Sequence, residues 1–289
     1  MGDPSGKSED FYKAVEQFIL EAESWGYLPV FYEVSEPIVM ILHEFGYDFI
    51  KMGEEAHVDL ENFSLSGKKR RGDRAIMNRF EKEQYIFEVL SPPFSPEIMA
   101  ELSAISAEWL GNRKEKGFSL GFFSEDYLQR SDIAVVKDQQ DNIIAFANIM
   151  PTYTKNEGTI DLMRYKKEAP SGVMDFLFIS IFNYMKEEKI AYFNMGMAPL
   201  SNVGTSRNSF IQERIAFLIY KFGSTFYSFQ GLRAYKDKFA SDWVSRYTLY
   251  SRKSSIIYVM IALLIIDNAP IDEQKQRRGI RHILKNRYQ

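Results

Sequence analysis

The sequence contains no cysteine. Disulfides, thiolate metal sites and a cysteine nucleophile are therefore excluded, and nothing demands an oxidising compartment. Histidine is scarce. His43, His57 and His282 are the three present, and none makes a ligand pair at helical spacing. A zinc centre or a Ser-His-Asp triad has little to stand on. Charge of one sign is also lacking: the formal net charge is −3 over 289 residues, so the molecule as a whole is no polycation. Long apolar runs are missing too. The longest, Ile256 to Ile266, is about half of the ~20 residues that cross a bilayer. It reads as a buried helix. The opening Met-Gly-Asp-Pro-Ser-Gly-Lys carries no apolar stretch of the kind a secretory signal needs.

What is present is local. Lys68, Lys69, Arg70, Arg71, Arg74 and Arg79 form one basic cluster, and Lys275, Arg277, Arg278, Arg281, Lys285 and Arg287 form another. Such patches steer polyanions even on a slightly acidic molecule. Aromatic residues reach 15%, which predicts an aromatic core before an aromatic surface.

Apolar periodicity sets the elements. Phe11, Val15, Phe18, Ile19 and Ala22 recur at helical spacing and Gly26 stops them. Pro37 opens a second helix that ends at Gly46. Phe49 to Leu60 reads as a strand broken near Gly53-Glu54-Glu55. A basic helix, carrying Glu81, follows from Ser66 or Gly67 to about Gln84. Tyr85 to Leu90 is strand-like, Pro96 to Leu110 is a helix, and Gly111 to Gly121 is a charged loop. Three strands come next, Ile133 to Lys137, Ile143 to Tyr153 and Thr159 to Arg164. Then come a helix from Val173 to Lys186, a strand from Ala191 to Met195, a helix from Arg207 to Phe222 and a strand from Arg246 to Tyr250. The C-terminal stretch is helical and basic. This order predicts an α+β fold with a largely antiparallel, curved sheet.

Several strings are specific when taken in order. Gly53-Glu54-Glu55-Ala56-His57-Val58-Asp59-Leu60 is followed by Phe63-Ser64-Leu65-Ser66-Gly67-Lys68-Lys69-Arg70. Asp161-Leu162-Met163-Arg164 precedes Met174-Asp175-Phe176-Leu177-Phe178. Asn194-Met195-Gly196-Met197-Ala198-Pro199-Leu200 and Gly231-Leu232-Arg233-Ala234-Tyr235-Lys236-Asp237-Lys238-Phe239 come next, continuing to Trp243 and Arg246-Tyr247. Together they resemble the C-terminal domain of the multiple peptide resistance factor family, the lysyl- or alanyl-phosphatidylglycerol synthases.

The resemblance implies tandem N-acetyltransferase-like (GNAT-like) domains with mixed, largely antiparallel sheets, as in the peptidoglycan-branching aminoacyl-tRNA transferases. Residues 1–84 would be a partial first domain with the basic helix. Residues 85–289 would be the second, catalytic one with the C-terminal basic helix. The segment before Tyr85 is short for a complete first domain, and the family's multi-pass membrane region is absent, so a fragment that keeps the catalytic part is expected. The loop from Arg164 to Gly172, Arg-Tyr-Lys-Lys-Glu-Ala-Pro-Ser-Gly, is not the Arg-x-x-Gly-x-Gly/Ala loop that holds a pyrophosphate in acetyl-CoA enzymes, which argues against a coenzyme A donor.

The implied reaction moves an amino acid, lysine before alanine, from aminoacyl-tRNA to a glycerol hydroxyl of phosphatidylglycerol. That would lower the membrane's negative charge and give resistance to cationic antimicrobial peptides. The tRNA ester is already activated, so no ATP, metal or other cofactor is required. The implied partners are aminoacyl-tRNA (lysyl-tRNA first), phosphatidylglycerol, an anionic membrane surface at the cytoplasmic face, and the membrane-embedded region of a longer protein. The resemblance puts Asp161 and Arg164 at the centre, although residues three apart on a regular strand face opposite sides. Glu54, Glu55, Glu81, Lys236, Lys238 and Arg246 are candidate substrate-binding residues, and Lys68, Lys69, Arg70, Arg71 and Arg74 face tRNA. The competing readings are an aminoacyl-tRNA transferase acting on a peptidoglycan precursor and a non-catalytic module that binds RNA or membrane.

Overall fold

Helix α4 (Pro96–Leu110) shows how closely local chemistry sets an element. Ser95 Oγ accepts the Ile98 N–H at 3.4 Å, Pro96 fills the first turn, and Gly111 at φ 54° ends the helix. In the computed structural model, residues 1–113, 115, 117–118, 121–152, 154–210, 213–214 and 229–267 are described. The other described helices are α1 (Phe11–Ser24), α2 (Glu36–Glu44), α3 (Arg71–Lys82), α5 (Glu125–Leu128), α6 (Val173–Glu187), α7 (Phe229–Asp237) and α8 (Ile256–Asp267). The strands are β1 (Val30–Val34), β2 (Tyr47–Asp59), β3 (Ile86–Leu90), β4 (Ile133–Lys137), β5 (Ile143–Met150), β6 (Glu157–Tyr165), β7 (Tyr192–Pro199) and β8 (Asp242–Ser251).

All eight strands among the described residues join one sheet in the order β1-β8-β2-β7-β6-β5-β4-β3. Every neighbouring pair is antiparallel except β6–β7, which is parallel. The expected α+β class and mixed, largely antiparallel sheet are what the structure shows. The sheet also runs across residue 84, because β2 lies between β7 and β8.

Two apolar layers cover the sheet. On one face α6 buries Phe176, Phe178 and Phe182 among Phe80, Phe193 and Phe239. Each such side chain contributes on the order of 2–3 kcal/mol by leaving water. On the opposite face α4 and α5 pack Leu102, Ile105 and Leu128 over Phe146 and Leu162. A third cluster joins Val15 and Ile19 of α1 and Ile38 and Leu42 of α2 to Tyr47 and Leu249.

Two expectations are corrected. The basic helix begins at Arg71 rather than at Ser66 or Gly67, so Lys68, Lys69 and Arg70 lie in the turn that leads into it. The apolar run 256–266 forms α8 but is not buried: Ile257, Tyr258, Ile261, Ile265 and Ile266 are exposed and Val259 is covered. A run that is apolar on every side has no periodicity to show which side meets the body. Among the described residues no helix is long and apolar enough to cross a membrane. The helix expected from Arg207 to Phe222 falls mostly outside the described residues, and the basic stretch 275–287 wholly outside them.

Candidate active site

The strand that carries Asp161 and Arg164 is not regular. Ala147 pairs with Met163 and Ile149 with Ile160, so two steps on β5 match three on β6. This β-bulge puts one extra residue on β6 and turns two successive side chains the same way. Leu162 packs with Phe146 beneath α4. Asp161, on the same side and exposed, accepts a hydrogen bond from the Tyr127 hydroxyl of α5. Asn148 Oδ1 takes the Leu162 N–H at 2.7 Å where the ladder is interrupted. Arg164 pairs with Phe146 across the strands and lies under Trp109 of α4, 4.1 Å from its ring centroid. The two residues therefore share a face.

Arg164 is only 8% exposed. Its Nη2 donates to Glu115 Oε2 and its Nη1 to the Met163 carbonyl, both at 3.1 Å, while its buried Nε has no hydrogen-bond partner. Burial lowers its pKa from the ordinary value, and Glu115 opposes that shift. Glu115 belongs to the segment between α4 and α5 and also accepts the Phe123 N–H at 3.1 Å. The same segment lies against Asp161, where a Cβ on Gly121 would stand 2.5 Å from Oδ2, so a larger residue there would displace the carboxylate. Phe118 meets Tyr32 of β1 with ring centroids 5.4 Å apart. The described residues of this segment thus roof the sheet from α4 to the edge strand.

A second polar cluster lies where β6 and β7 part. Their pairing ends at Thr159–Asn194, although β6 continues to Tyr165 and β7 to Pro199. There Lys236 of α7 donates to the carbonyls of Gly196 (3.0 Å) and Met197 (2.8 Å). Burial lowers the Lys236 ammonium to about 8, against the pull of Glu55 and Glu33. Glu55 accepts from Arg246 Nε at 2.8 Å and from Arg246 Nη2, and its Oε2 is 3.2 Å from His57 Nε2. Burial alone would raise the Glu55 carboxyl, but the His57 hydrogen bond and the Arg246 charge hold it down at about 2. Glu33 sits at φ 61° in a bulge of β1. Burial, then the Glu55 charge, raises it to about 7.

The two clusters share one side of the sheet. His57 Nδ1 lies 3.7 Å from Glu157 Oε2. Glu157, Thr159 and Asp161 alternate along β6 ahead of the bulge and so point the same way. One face thus holds an exposed acid, two guanidinium groups and a carboxyl raised to about 7, and the Lys236 ammonium, lowered to about 8 in the gap between β6 and β7, is within electrostatic reach of it. Oppositely shifted titratable groups of this kind suit proton transfer.

Other candidates go elsewhere. Glu54 points away from Glu55, is 6% exposed, and takes hydrogen bonds from Arg233, from Lys51 at 2.7 Å and from Asn202 at 2.9 Å. Arg233 in turn stacks over Trp243 at 3.3 Å. Lys238 pairs with Asp175 of α6 and lies 4.8 Å from the Tyr235 ring centroid. Arg70 donates to Asp73 (3.0 Å) and to the Lys238 carbonyl (2.7 Å), over the Phe63 ring. Arg74 holds the carbonyls of Leu65 and Gly67. Lys68, Lys69 and Arg71 are exposed, as is Glu81 at the far end of α3. Glu33, Glu115 and Tyr127 join the site without any motif in the sequence to mark them; Glu115 reaches Arg164 across 49 positions.

Comparison with known proteins places the chain. The family model for phosphatidylglycerol lysyltransferase, C-terminal, matches residues 1–250. The phosphatidylglycerol lysyltransferase of Bacillus subtilis (strain 168) is 50% identical over 260 residues, which are 90% of this chain and 30% of that protein. That of Staphylococcus aureus (strain COL) is 41% identical over 256 residues, 89% of this chain and 30% of the relative. The structure of L-PGS from Bacillus licheniformis superposes with a TM-score of 0.81 at 47% identity, covering 93% of this chain and 82% of that one. This chain therefore spans less than a third of the length of the curated relatives it matches. It belongs to the phosphatidylglycerol lysyltransferase C-terminal family.

Proposed function

We propose that this chain transfers an aminoacyl group from aminoacyl-tRNA to a glycerol hydroxyl of phosphatidylglycerol, with Asp161 and Arg164 at the reacting centre. The observation that carries this reading is the β6 bulge, which turns both residues to the face that also holds Glu55 and Arg246. In the reaction the glycerol oxygen attacks the ester carbonyl, a new ester C–O bond forms, and the bond to the tRNA ribose oxygen breaks. The proton released by the glycerol hydroxyl ends on that ribose oxygen.

Each step has a residue to serve it. The Arg164 guanidinium, held by Glu115, can offer its positive charge to the developing oxyanion or to a lipid phosphate oxygen. Exposed Asp161 can hold the substrate's α-ammonium. Glu33 and Lys236, shifted toward each other to about 7 and about 8, suit the proton's path. Arg246, fixed by Glu55, is a second cation for phosphate. Glu54 and Lys238 support this floor from the opposite face, and Glu81 stays outside it. Exposed Lys68, Lys69 and Arg71 form the tRNA-facing surface, with Arg70 and Arg74 ordering the turn beneath them.

The reading extends to lysine ahead of alanine, to the cytoplasmic face of the membrane and to a membrane-embedded region in the full protein. It also includes two acetyltransferase-like units, 1–84 and 85–289, sharing one sheet. The test is one incubation with phosphatidylglycerol micelles and labelled aminoacyl-tRNAs, followed by lipid extraction and chromatography. Labelled lysyl-lipid that disappears after RNase treatment is expected. Lipid product from free lysine with ATP, or label found only on a peptidoglycan precursor, would overturn the assignment.

A further inference from the structure

We infer that the apolar patch formed by the Trp25–Leu28 turn and the outer side of α8 is the surface by which this chain docks on an anionic lipid bilayer. The inference rests on the lipid-acceptor reading above and adds which face meets the lipid.

Helix α8 reads Ile-Ile-Tyr-Val-Met-Ile-Ala-Leu-Leu-Ile-Ile-Asp, with no charge before Asp267. A helix on the surface of a water-soluble body normally carries a polar outer stripe. Here Ile257 is 66% and Tyr258 75% exposed. The turn after α1 adds to the same patch. The N–H groups of Trp25 and Tyr27 both donate to the Ala22 carbonyl, at 3.1 and 2.9 Å, which fixes the turn with Trp25 72% and Tyr27 69% exposed. The two parts are continuous. Leu28 and Val30 line one side of a cavity of about 520 Å³, and Tyr258, Val259 and Ala262 line the other. Monomeric proteins seldom leave so much contiguous apolar surface without a partner.

The composition of the patch favours lipid over a second copy of the chain. Trp and Tyr are the residues that prefer the boundary between headgroups and acyl chains. At 12 residues α8 is too short to span a bilayer, so it would lie in the interfacial plane. Two basic residues lead into α8. Arg252 and Lys253 precede α8, tied to Asp48 (2.9 Å) and Glu23 (3.4 Å) by exposed pairs, which are weak. The sequence after α8 carries Lys275, Arg277, Arg278, Arg281, Lys285 and Arg287 against Asp272 and Glu273. A segment of net positive charge attracts headgroup phosphates.

The experiment compares the full chain with an Ile257→Gln/Ile261→Gln variant, whose side chains are exposed and outside the site. Sedimentation with phosphatidylglycerol/phosphatidylethanolamine vesicles should fall by about tenfold or more, since two aliphatic groups no longer leave water. Transfer to vesicle lipid should fall in step. Transfer to a short-chain phosphatidylglycerol kept monomeric should stay within about twofold, because binding there needs no docking. Equal vesicle binding by both proteins would overturn the inference. So would a wild-type dimer that the substitutions dissociate with vesicle binding unchanged. Vesicle binding without any transfer would support the docking surface and overturn the proposed reaction instead.

Discussion

Glu54 and Glu55 are adjacent on β2 and chemically identical, yet they serve opposite faces of the sheet. Glu54 faces Arg233, Lys51 and Asn202. Burial works against its ionised form, but those hydrogen bonds lower its pKa below the usual carboxylate value. Its charge joins α7 to the sheet. Glu55 instead faces Arg246 and His57, within electrostatic reach of Lys236 and Glu33. The comparison teaches that residue type alone does not separate a charge that ties elements together from one set among shifted titratable groups. The side of the pleat does.

The strongest way to break the comparison is on the open face. Asp161→Asn and Arg164→Ala should each lose about 10²–10³-fold in turnover, the size seen when a group acting on the transition state is removed; Asp161→Asn should melt as wild type does, while Arg164→Ala, which strands Glu115, should melt lower yet stay folded. Arg164→Lys should recover little, because an ammonium lacks the planar fork. Turnover at saturating lipid and tRNA, with a thermal melt as fold control, decides it; near-normal turnover in folded Asp161→Asn would make Asp161 structural.

The packed face should answer in stability. Glu54→Ala leaves Arg233 and Lys51 without their carboxylate and should cost about 2–3 kcal/mol in urea unfolding. Arg233 keeps a quarter of its side chain exposed, so water recovers part of the loss. A variant as stable as wild type would erase the proposed division between the faces.

A smaller effect sharpens the contrast within the basic stretch. Neutralising Lys68, Lys69 and Arg71 should flatten the salt dependence of tRNA use, by about 0.7–0.9 in log–log slope for each phosphate no longer neutralised. Arg70→Ala should mainly lower the melting temperature, since its guanidinium is engaged by Asp73 and the Lys238 carbonyl. Kinetics across a salt series distinguish the two, and equal slopes would make the three exposed cations a solvated surface.

The smallest effect concerns Glu33. Its carboxyl is raised from 4.5 to about 7, so the folded state favours the protonated form. That contribution is complete below about pH 4.5 and is lost as pH rises through 7. Glu33→Gln should therefore melt higher than wild type at pH 8, with the difference fading toward pH 4.5. A difference that grows toward acid would reverse the assigned shift.

Local chemistry makes part of this legible. Ser95, Pro96 and Gly111 mark α4 to the residue, and apolar runs bounded by turn residues mark β4 and β5. The position of β2 between β7 and β8 is not legible, because partners as distant as Glu55 and Arg246, 191 positions apart, leave no local signature. The Asp161–Arg164 pair stands out by resemblance, while its spacing argues against it; the bulge that reconciles the two depends on β5. Glu33 and Glu115 are silent in the sequence because their partners lie on other elements. The apolar run in α8 identifies a helix but not its exposure.

The bulge at Asp161–Leu162 also makes β6 sensitive to length. A strand normally tolerates exchange of one apolar residue for another, but here the count itself carries information. Removing one residue between Ile160 and Met163 would restore even alternation and leave Met163 toward α6 and Arg164 toward Trp109, since the rest of β6 is already in phase with β5. What would go is one of the two successive side chains that now share a face. A single-codon deletion would thus force a choice between the wet acid at 161 and the dry leucine at 162.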